Sequence, residues 1–313
     1  MDFNNFYRQS IMGNRDFDVV IIGGSYAGLS AAMALGRAIR KVLIIDAGKP
    51  CNRQTPHSHN FITQDGVKPA EISALAKEQV LAYPTVRFES DTVVDVIGAN
   101  NNFKLVTEEK GTFTAKKIIF ATGVRDIMPD IPGFPESWGI SVIHCPYCHG
   151  YEYRGQKTGI FMNGEGALEF VKLIDNWTQK LTLFTNGKAT FDKAVFNKIS
   201  NPDFRIVEKE IKALLHDNGQ LSAVVFQDGT SEKLDALYAK LPFQQHTDIP
   251  ARIGCEINDA GYIKVNEFGK TSVAGIFAAG DNTSRLRSVS SAVAAGTVAG
   301  AFSNHEMISD RYI

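Results

Sequence analysis

The chain has 313 residues, 44% of them hydrophobic and 21% charged, with a formal net charge of −1. That composition supplies a packed core and excludes wholesale disorder, while 33 basic against 34 acidic residues excludes a nucleic-acid partner held by broad electrostatic attraction. Four cysteines in this length are too few for the dense disulfide framework of a small secreted domain. Residues 1–15 are polar, lack a signal-peptide core and read as an N-terminal extension, with Met12 offering a second start. The expectation is a cytoplasmic protein. Asp18 to Gly36 is apolar enough to raise the question of a membrane span, but Gly23-Gly24-Ser25 divides it into a strand and a helix. Residues 292–302 are too short to cross a bilayer, so no membrane segment is expected.

The most informative feature is internal. Residues 19–49 and 158–188 have the same length and pattern: an apolar strand, a Gly-containing turn, a helix with three- and four-residue apolar spacing, and a second apolar strand. Each copy leads into a predicted β-meander. After the first, strands are expected around Asn100–Asn102 and Glu109–Gly111, ending in Ala115–Thr122; after the second, near Ile206–Glu210, Ala213–Leu215 and Ala223–Phe226. The last 70 or so residues resume the first domain's style, with a strand at 275–279 and a small-residue helix from about Ser288. The fold class read from this is α/β, with two Rossmann-like domains of the FAD/NAD(P)-binding type, the second inserted into the first. Residues 16–124 and 246–313 form the first domain and 125–245 the inserted one, with prolines 129, 132, 135, 242 and 250 near the crossings.

Gly23-Gly24-Ser25-Tyr26-Ala27-Gly28 stands where a strand meets a helix. Glycines there let the backbone turn and approach a pyrophosphate, and the helix N-terminus adds amide donors. Asp46, at the end of the second strand, can accept hydrogen bonds from ribose hydroxyls. Ser25 departs from the usual GxGxxG spacing, and a ligand-free glycine turn is the bland alternative. Strand, helix and acid together favour dinucleotide binding.

With that turn, Phe120-Ala121-Thr122-Gly123 and Ala278-Ala279-Gly280-Asp281 complete a set that resembles the low-molecular-weight thioredoxin reductases over roughly residues 16–305. The resemblance implies FAD as cofactor. It places Gly23, Gly24, Ser25, Gly28 and Asp46 around its ADP half, with Thr122, Gly123, Gly280 and Asp281 along the rest. It also implies a homodimer; the small-residue stretch Ala292–Ala301 would allow close packing.

The second copy carries Met162, Asn163, Gly164, Ala167 and Thr185 where the first has Gly23, Gly24, Ser25, Gly28 and Asp46. Thioredoxin reductases hold the NADPH 2′-phosphate with a His-Arg-Arg cluster here, and this chain has Thr185-Asn186-Gly187. A dianionic phosphate without an arginine clamp is poorly held. Lys188 is a lone basic neighbour, so NAD(P)H stays an open question at a degenerate site.

The chemical centre is His144-Cys145-Pro146-Tyr147-Cys148-His149-Gly150-Tyr151-Glu152. One helical turn brings CxxC sulfurs within bonding reach, Pro146 suits a first helical position, and a helix N-terminus favours a thiolate. A glutaredoxin-like motif and a zinc site are alternatives, but neither the flanking sequence nor the ligand count suits them. By resemblance Cys148 faces the flavin, Cys145 exchanges with substrate, and His149 replaces the family's aspartate as acid and base, titrating near neutrality. His144 reads equally as a turn residue. With His57-Ser58-His59-Asn60-Phe61 upstream, the CPYCHGYE motif is most similar to the branch of gliotoxin-type dithiol oxidases, in which Asn60 would approach the flavin. His57 and His59 read equally as loop residues.

The expected activity is FAD-dependent dithiol–disulfide oxidoreduction, on a small dithiol or disulfide or on a thioredoxin-like protein, with electrons passed to oxygen or drawn from a donor. A conventional NAD(P)H-dependent thioredoxin reductase and a flavin-binding redox sensor without turnover are the alternatives.

Overall fold

A computed structural model describes residues 15–312, and residues 1–14 of the expected extension lie outside the described residues. The chain divides into two compact units. Of the described residues, the first holds 15–53, Lys68–Arg125 and 243–312; the second holds Gln54–Val67 and Asp126–Pro242.

The first unit opens with strand β1 (Asp16–Ile22), helix α1 (Tyr26–Arg37) and strand β2 (Val42–Asp46). Val19, Val20, Ile21, Leu43 and Ile44 are fully buried, the unbroken apolar pattern of strands covered on both faces. Helix α2 (Pro69–Leu81) and strand β3 (Val86–Ser90) follow. The meander is β4 (Val93–Ala99), β5 (Asn102–Thr107) and β6 (Thr112–Phe120). Two of the expected strand positions are instead its turns: Asn101 and Gly111 adopt φ of 68° and 84°. Asparagine and glycine enter that left-handed region most readily, so they end strands rather than build them.

Chain crossings are made by β7 (Val124–Asp126) and, on return, β16 (Phe243–Gln245), which pair with each other. Between them run helix α3 (Phe134–Ser137), strand β8 (Val142–Ile143) and the single turn α4 (Pro146–His149). The second β-α-β copy is β9 (Thr158–Phe161), α5 (Ala167–Asp175) and β10 (Leu181–Phe184). Strands β11 (Arg205–Val207), β12 (Ile211–Asp217), β13 (Gln220–Phe226), β14 (Ser231–Lys233) and β15 (Ala236–Ala239) complete that unit. After β16 come α6 (Ile249–Arg252), β17 (Ile276–Ala278) and α7 (Val289–Ser309).

The duplication is visible in strand order. In the first unit β3-β2-β1-β6 run parallel; the nine-residue β6 then gives one edge to β5 at its start and to β17 at its end. In the second, β11-β10-β9-β15-β8 run parallel, with the β12-β13-β14 meander as a separate sheet. The place filled by β17 from the chain's end is taken by β8 from the start of the insert.

Helix α7 lies on α1 through small residues. A Cβ at Gly296 would sit 2.1 Å from the Ala27 carbonyl oxygen, and one at Gly300 would sit 2.6 Å from that of Ala31. The small-residue stretch read as a packing surface therefore packs inside the first unit. No described helix is long and apolar enough to cross a membrane.

Candidate functional site

The first unit's turn is built to bring backbone to backbone. Gly23 has φ 105°, and a Cβ there would lie 2.3 Å from the Ala121 carbonyl oxygen; one at Gly28 would lie 1.9 Å from the Gly23 oxygen. No side chain fits at either position, so α1 starts hard against the β1 end. Ser25 makes no side-chain cap to α1. Asp46 accepts the backbone N–H of Gly24 at 2.8 Å and that of Gly48 at 3.1 Å. Its carboxylate borders a cavity of about 190 Å³ lined also by Ser25, Pro50, Ser73, Lys77 and Phe88.

The two later motifs meet this turn from β6 and β17. Gly123 adopts φ 63° with open space where a Cβ would be, and Gly280 adopts φ 94° with its would-be Cβ 3.0 Å from Ala27. Asp281 faces Arg287 (3.7 Å) and Cys51 (3.9 Å). The residue between them and the core escaped sequence reasoning. Asn282 is fully buried, and its amide nitrogen donates to the Phe120 oxygen at 2.9 Å and to Thr122 Oγ1 at 3.3 Å. Its amide oxygen is buried without a hydrogen-bond partner among the described residues. Such an atom is costly unless a bound group meets it.

In the second unit Cys145 and Cys148 are joined as a disulfide with Cα atoms 5.3 Å apart. Cys145 stands at the N-cap of α4 and Pro146 is its first residue. The helix is only four residues long, so the thiolate support expected from a helix end is small here. Gly150 closes the turn because nothing larger fits: a Cβ would meet the Pro146 oxygen at 2.4 Å, Tyr238 Oη at 2.8 Å and Trp177 Cδ1 at 3.0 Å. Tyr147 is exposed and turns its ring edge-on to Trp177 at 5.5 Å.

His149 is half-buried. Burial pushes its imidazole down to about 4, against the upward pull of Glu152 and with a smaller downward push from His59. The titration near neutrality expected for His149 is displaced by its surroundings: with the disulfide formed, burial holds the imidazole neutral at pH 7. His144 stacks on Trp138 with ring centroids 6.0 Å apart. Asn60, His57 and His59 all lie in the 54–67 segment, which clusters with the second unit. Asn60 is exposed at φ 59° and donates its backbone N–H to Asp65 at 2.8 Å. His57 Nδ1 lies 2.9 Å from the Gly66 oxygen.

The second copy's turn is laced shut by its own side chains. Asn163 Nδ2 donates to the Thr185 and Lys188 oxygens at 3.2 and 3.0 Å. Its Oδ1 accepts from Gly164 N, Thr190 N and Thr190 Oγ1 at 2.9–3.0 Å. The Met162 methyl lies 2.9 Å from a would-be Gly166 Cβ, at the foot of α5. Glu208, which motif reading missed, accepts the Ala189 N–H at 2.8 Å and pairs with Lys193.

Residues 17–296 match the pyridine nucleotide-disulphide oxidoreductase family. The chain belongs to that family. It is similar to thioredoxin reductase tcpT of Claviceps purpurea, 33% identical over 306 residues and covering 94% of this chain and 95% of that protein. It is likewise similar to thioredoxin reductase sirT of Leptosphaeria maculans, 32% identical over 309 residues, with 93% and 94% covered. Among solved structures, an oxidoreductase from Agrobacterium tumefaciens superposes with TM-score 0.87 at 36% identity, covering 94% of this chain and 99% of that one. As a member of the pyridine nucleotide-disulphide oxidoreductases, the chain is an FAD-dependent oxidoreductase acting on sulfur groups. Its first unit fits FAD on three observations: a turn whose approach any Cβ would fill, a carboxylate at the cavity edge, and the buried Asn282 oxygen without a partner among the described residues.

Proposed function

We propose that the enzyme exchanges electrons between a dithiol substrate and FAD through Cys145 and Cys148, without using NADPH as its source. The Cys145–Cys148 disulfide with neutral His149 directly after it carries this reading. Gly23, Gly24, Ser25, Gly28, Asp46, Thr122, Gly123, Gly280 and Asp281 would hold FAD, which supplies a two-electron acceptor when bound.

A substrate thiol gives its proton to His149, and the thiolate attacks Cys145 Sγ. The Cys145–Cys148 bond breaks, and its electron pair leaves on Cys148 Sγ. The second substrate thiol then displaces Cys145 and closes the substrate disulfide, its proton passing to the departing Cys145 Sγ. Two electrons have then moved from substrate to the cysteine pair, ready for the bound cofactor. Asn60 is assigned to the cofactor's surroundings by resemblance alone. A homodimer is part of the same reading.

The nucleotide-independent part is supported by the laced turn. Asn163 occupies its hydrogen-bonding groups within the 185–190 loop, Met162 covers the helix foot, and no arginine stands at 185–190. A conventional NADPH-fed thioredoxin reductase is the second reading, favoured by Lys188 and Lys193 near that strand end. Anaerobic stopped-flow reduction of the flavin by NADPH, NADH and dithiothreitol decides between them. Fast bleaching by the dithiol alone supports the proposal, and fast bleaching by NADPH overturns it.

A further inference from the structure

Helix α2 and strand β3 close one side of the cavity that the Asp46 carboxylate borders, yet neither contributes to the FAD-holding set named above. Ser73 and Ala74 stand four and three residues before Lys77 on α2, so the three share one helical face, and all of them line the cavity. Lys77 Nζ lies 3.4 Å from the centroid of the Phe88 ring. Gly24 leaves the space this ring needs, since a Cβ there would lie 2.8 Å from Phe88 Cε2. Among the described residues the Lys77 ammonium makes no ion pair or hydrogen bond, so the ring face is what holds it. We propose that Lys77, seated on Phe88, recognises the adenine ring of FAD by donating from its ammonium to a ring nitrogen. That role rests on the reading of the Gly23 turn and Asp46 as the site of the cofactor's ADP half.

Two walls of the cavity carry opposite chemistry. A carboxylate only accepts, which suits Asp46 to the hydroxyl donors of a ribose. A lysine ammonium only donates, and the nitrogens within an adenine ring only accept. Because the Phe88 face takes the cation's charge without using a lone pair, the N–H groups turned away from the ring stay available to the cavity. A base seated there excludes water from the cation, and desolvation strengthens its hold on the ring. The second copy lacks this device. Phe88 pairs with Ile44 of β2, whereas Ile206 pairs with Leu183 of β10, the repeat's counterpart of Ile44. An isoleucine offers a cation no ring face. The platform therefore belongs to the copy that carries the acid and not to the β-α-β unit in general.

The test brings the FAD-loaded enzyme to exchange equilibrium with FAD analogues in which one adenine ring nitrogen at a time is replaced by C–H. Chromatography of the flavin released from the protein then gives each analogue's affinity relative to FAD. The parent is expected to prefer FAD over one analogue of the series by about tenfold. Lys77→Met is expected to lose that preference and to raise the FAD dissociation constant by about tenfold. Lys77→Arg, which keeps a cation with donors on the ring, is expected to retain most of the preference, and Phe88→Leu to lose much of it. A structural role for Lys77 would weaken FAD and every analogue alike and leave the ratios in place, which overturns the proposal, as does a parent that prefers FAD over none of them. Asp46→Asn separates the two layers. If it leaves the FAD dissociation constant unchanged, the reading of this cavity as the ADP half's site fails and the role of Lys77 with it. If that constant rises while Lys77→Met keeps the parent's ratios, only the role of Lys77 is overturned.

Discussion

Asn163 donates its side-chain amide to the carbonyl oxygen of Thr185 at 3.2 Å, across the mouth of the second unit's turn. In the first unit the corresponding bond runs in the same direction with backbone and side chain exchanged: the Gly24 backbone N–H is the donor and the Asp46 side chain the acceptor, at 2.8 Å. One arrangement leaves a carboxylate facing a cavity, and the other joins two loops with a neutral side chain. Asn163→Ala is expected to destabilise the protein by about 1–2 kcal/mol, since it leaves several backbone groups without their partner. It is also expected to gain no NADPH reduction, because removing a lace does not create an arginine clamp. Urea unfolding and anaerobic mixing with NADPH check the two halves separately.

The matched turns offer a second comparison. Gly23 and Gly164 share φ of 105°, yet a Cβ at Gly23 strikes Ala121 whereas one at Gly164 meets nothing within 4 Å. Both alanine variants carry the backbone strain of about 1 kcal/mol. Gly23→Ala adds a collision that must move β6 or α1, so the purified protein is expected to lose most of its flavin. Gly164→Ala is expected to keep it. The ratio of flavin to protein absorbance reads the difference.

Gly150 is held by space and not by backbone conformation. Its φ of −67° suits any residue, but a methyl group would meet Pro146, Tyr238 and Trp177 at once. Gly150→Ala is expected to cost about 1–3 kcal/mol by overpacking. It should also slow thiol exchange with dithiothreitol, because α4 must shift to make room.

Much of this was legible in the sequence because glycines, strands and acids recur at one spacing. The turns at Gly23 and Met162, the crossings, and the helix after Ser288 all follow from local pattern. What was not legible depends on pairs remote in the chain. Asn282 looks like any loop asparagine until β17 buries it against Phe120 and Thr122. Grouping of 54–67 with the second unit, and the His59–Glu152 contact, carry no periodic signal. The displaced His149 titration has the same origin: burial set by neighbouring elements, invisible in the residue's identity.

The low His149 value has a consequence for stability. In the folded disulfide form the imidazole stays neutral down to about 4, whereas its ordinary value is 6.5. Between those values the unfolded chain binds the extra proton, so stability rises with pH across that window. The contribution is present above 6.5 and is lost as pH falls toward 4. His149→Asn removes it. The difference between urea midpoints at pH 7 and pH 5 is expected to be smaller in the variant than in the parent.

Lys117 makes the last anchor, and its burial decides how much it contributes. Its side chain is wholly buried in β6, and its ammonium donates to Asn100 at 2.6 Å, Glu306 at 2.9 Å and Asp310 at 2.7 Å. The two carboxylates stand on and just beyond α7, the helix that packs against α1 through Gly296 and Gly300. Burial tends to raise Glu306, but hydrogen bonds from Lys270 and Lys117 outweigh it and hold the group low; for Asp310 the Lys117 bond is the main cause. Both carboxylates are thus lower folded than unfolded, so their contribution is present above their ordinary range and lost as pH falls through their folded values. Lys117→Met keeps the volume but leaves Glu306 and Asp310 with Lys270 and the Asn101 amide as their remaining partners among the described residues. A loss of about 2–4 kcal/mol is expected, smaller than for a fully buried pair because Asp310 is partly exposed. The loss should shrink in acid, once pH falls below the ordinary carboxylate range and through the folded values of the parent. Urea unfolding at pH 7 and at about pH 2.5 measures it, and a loss that stays equal at both would mean that side-chain packing, and not the ion cluster, holds α7 in place.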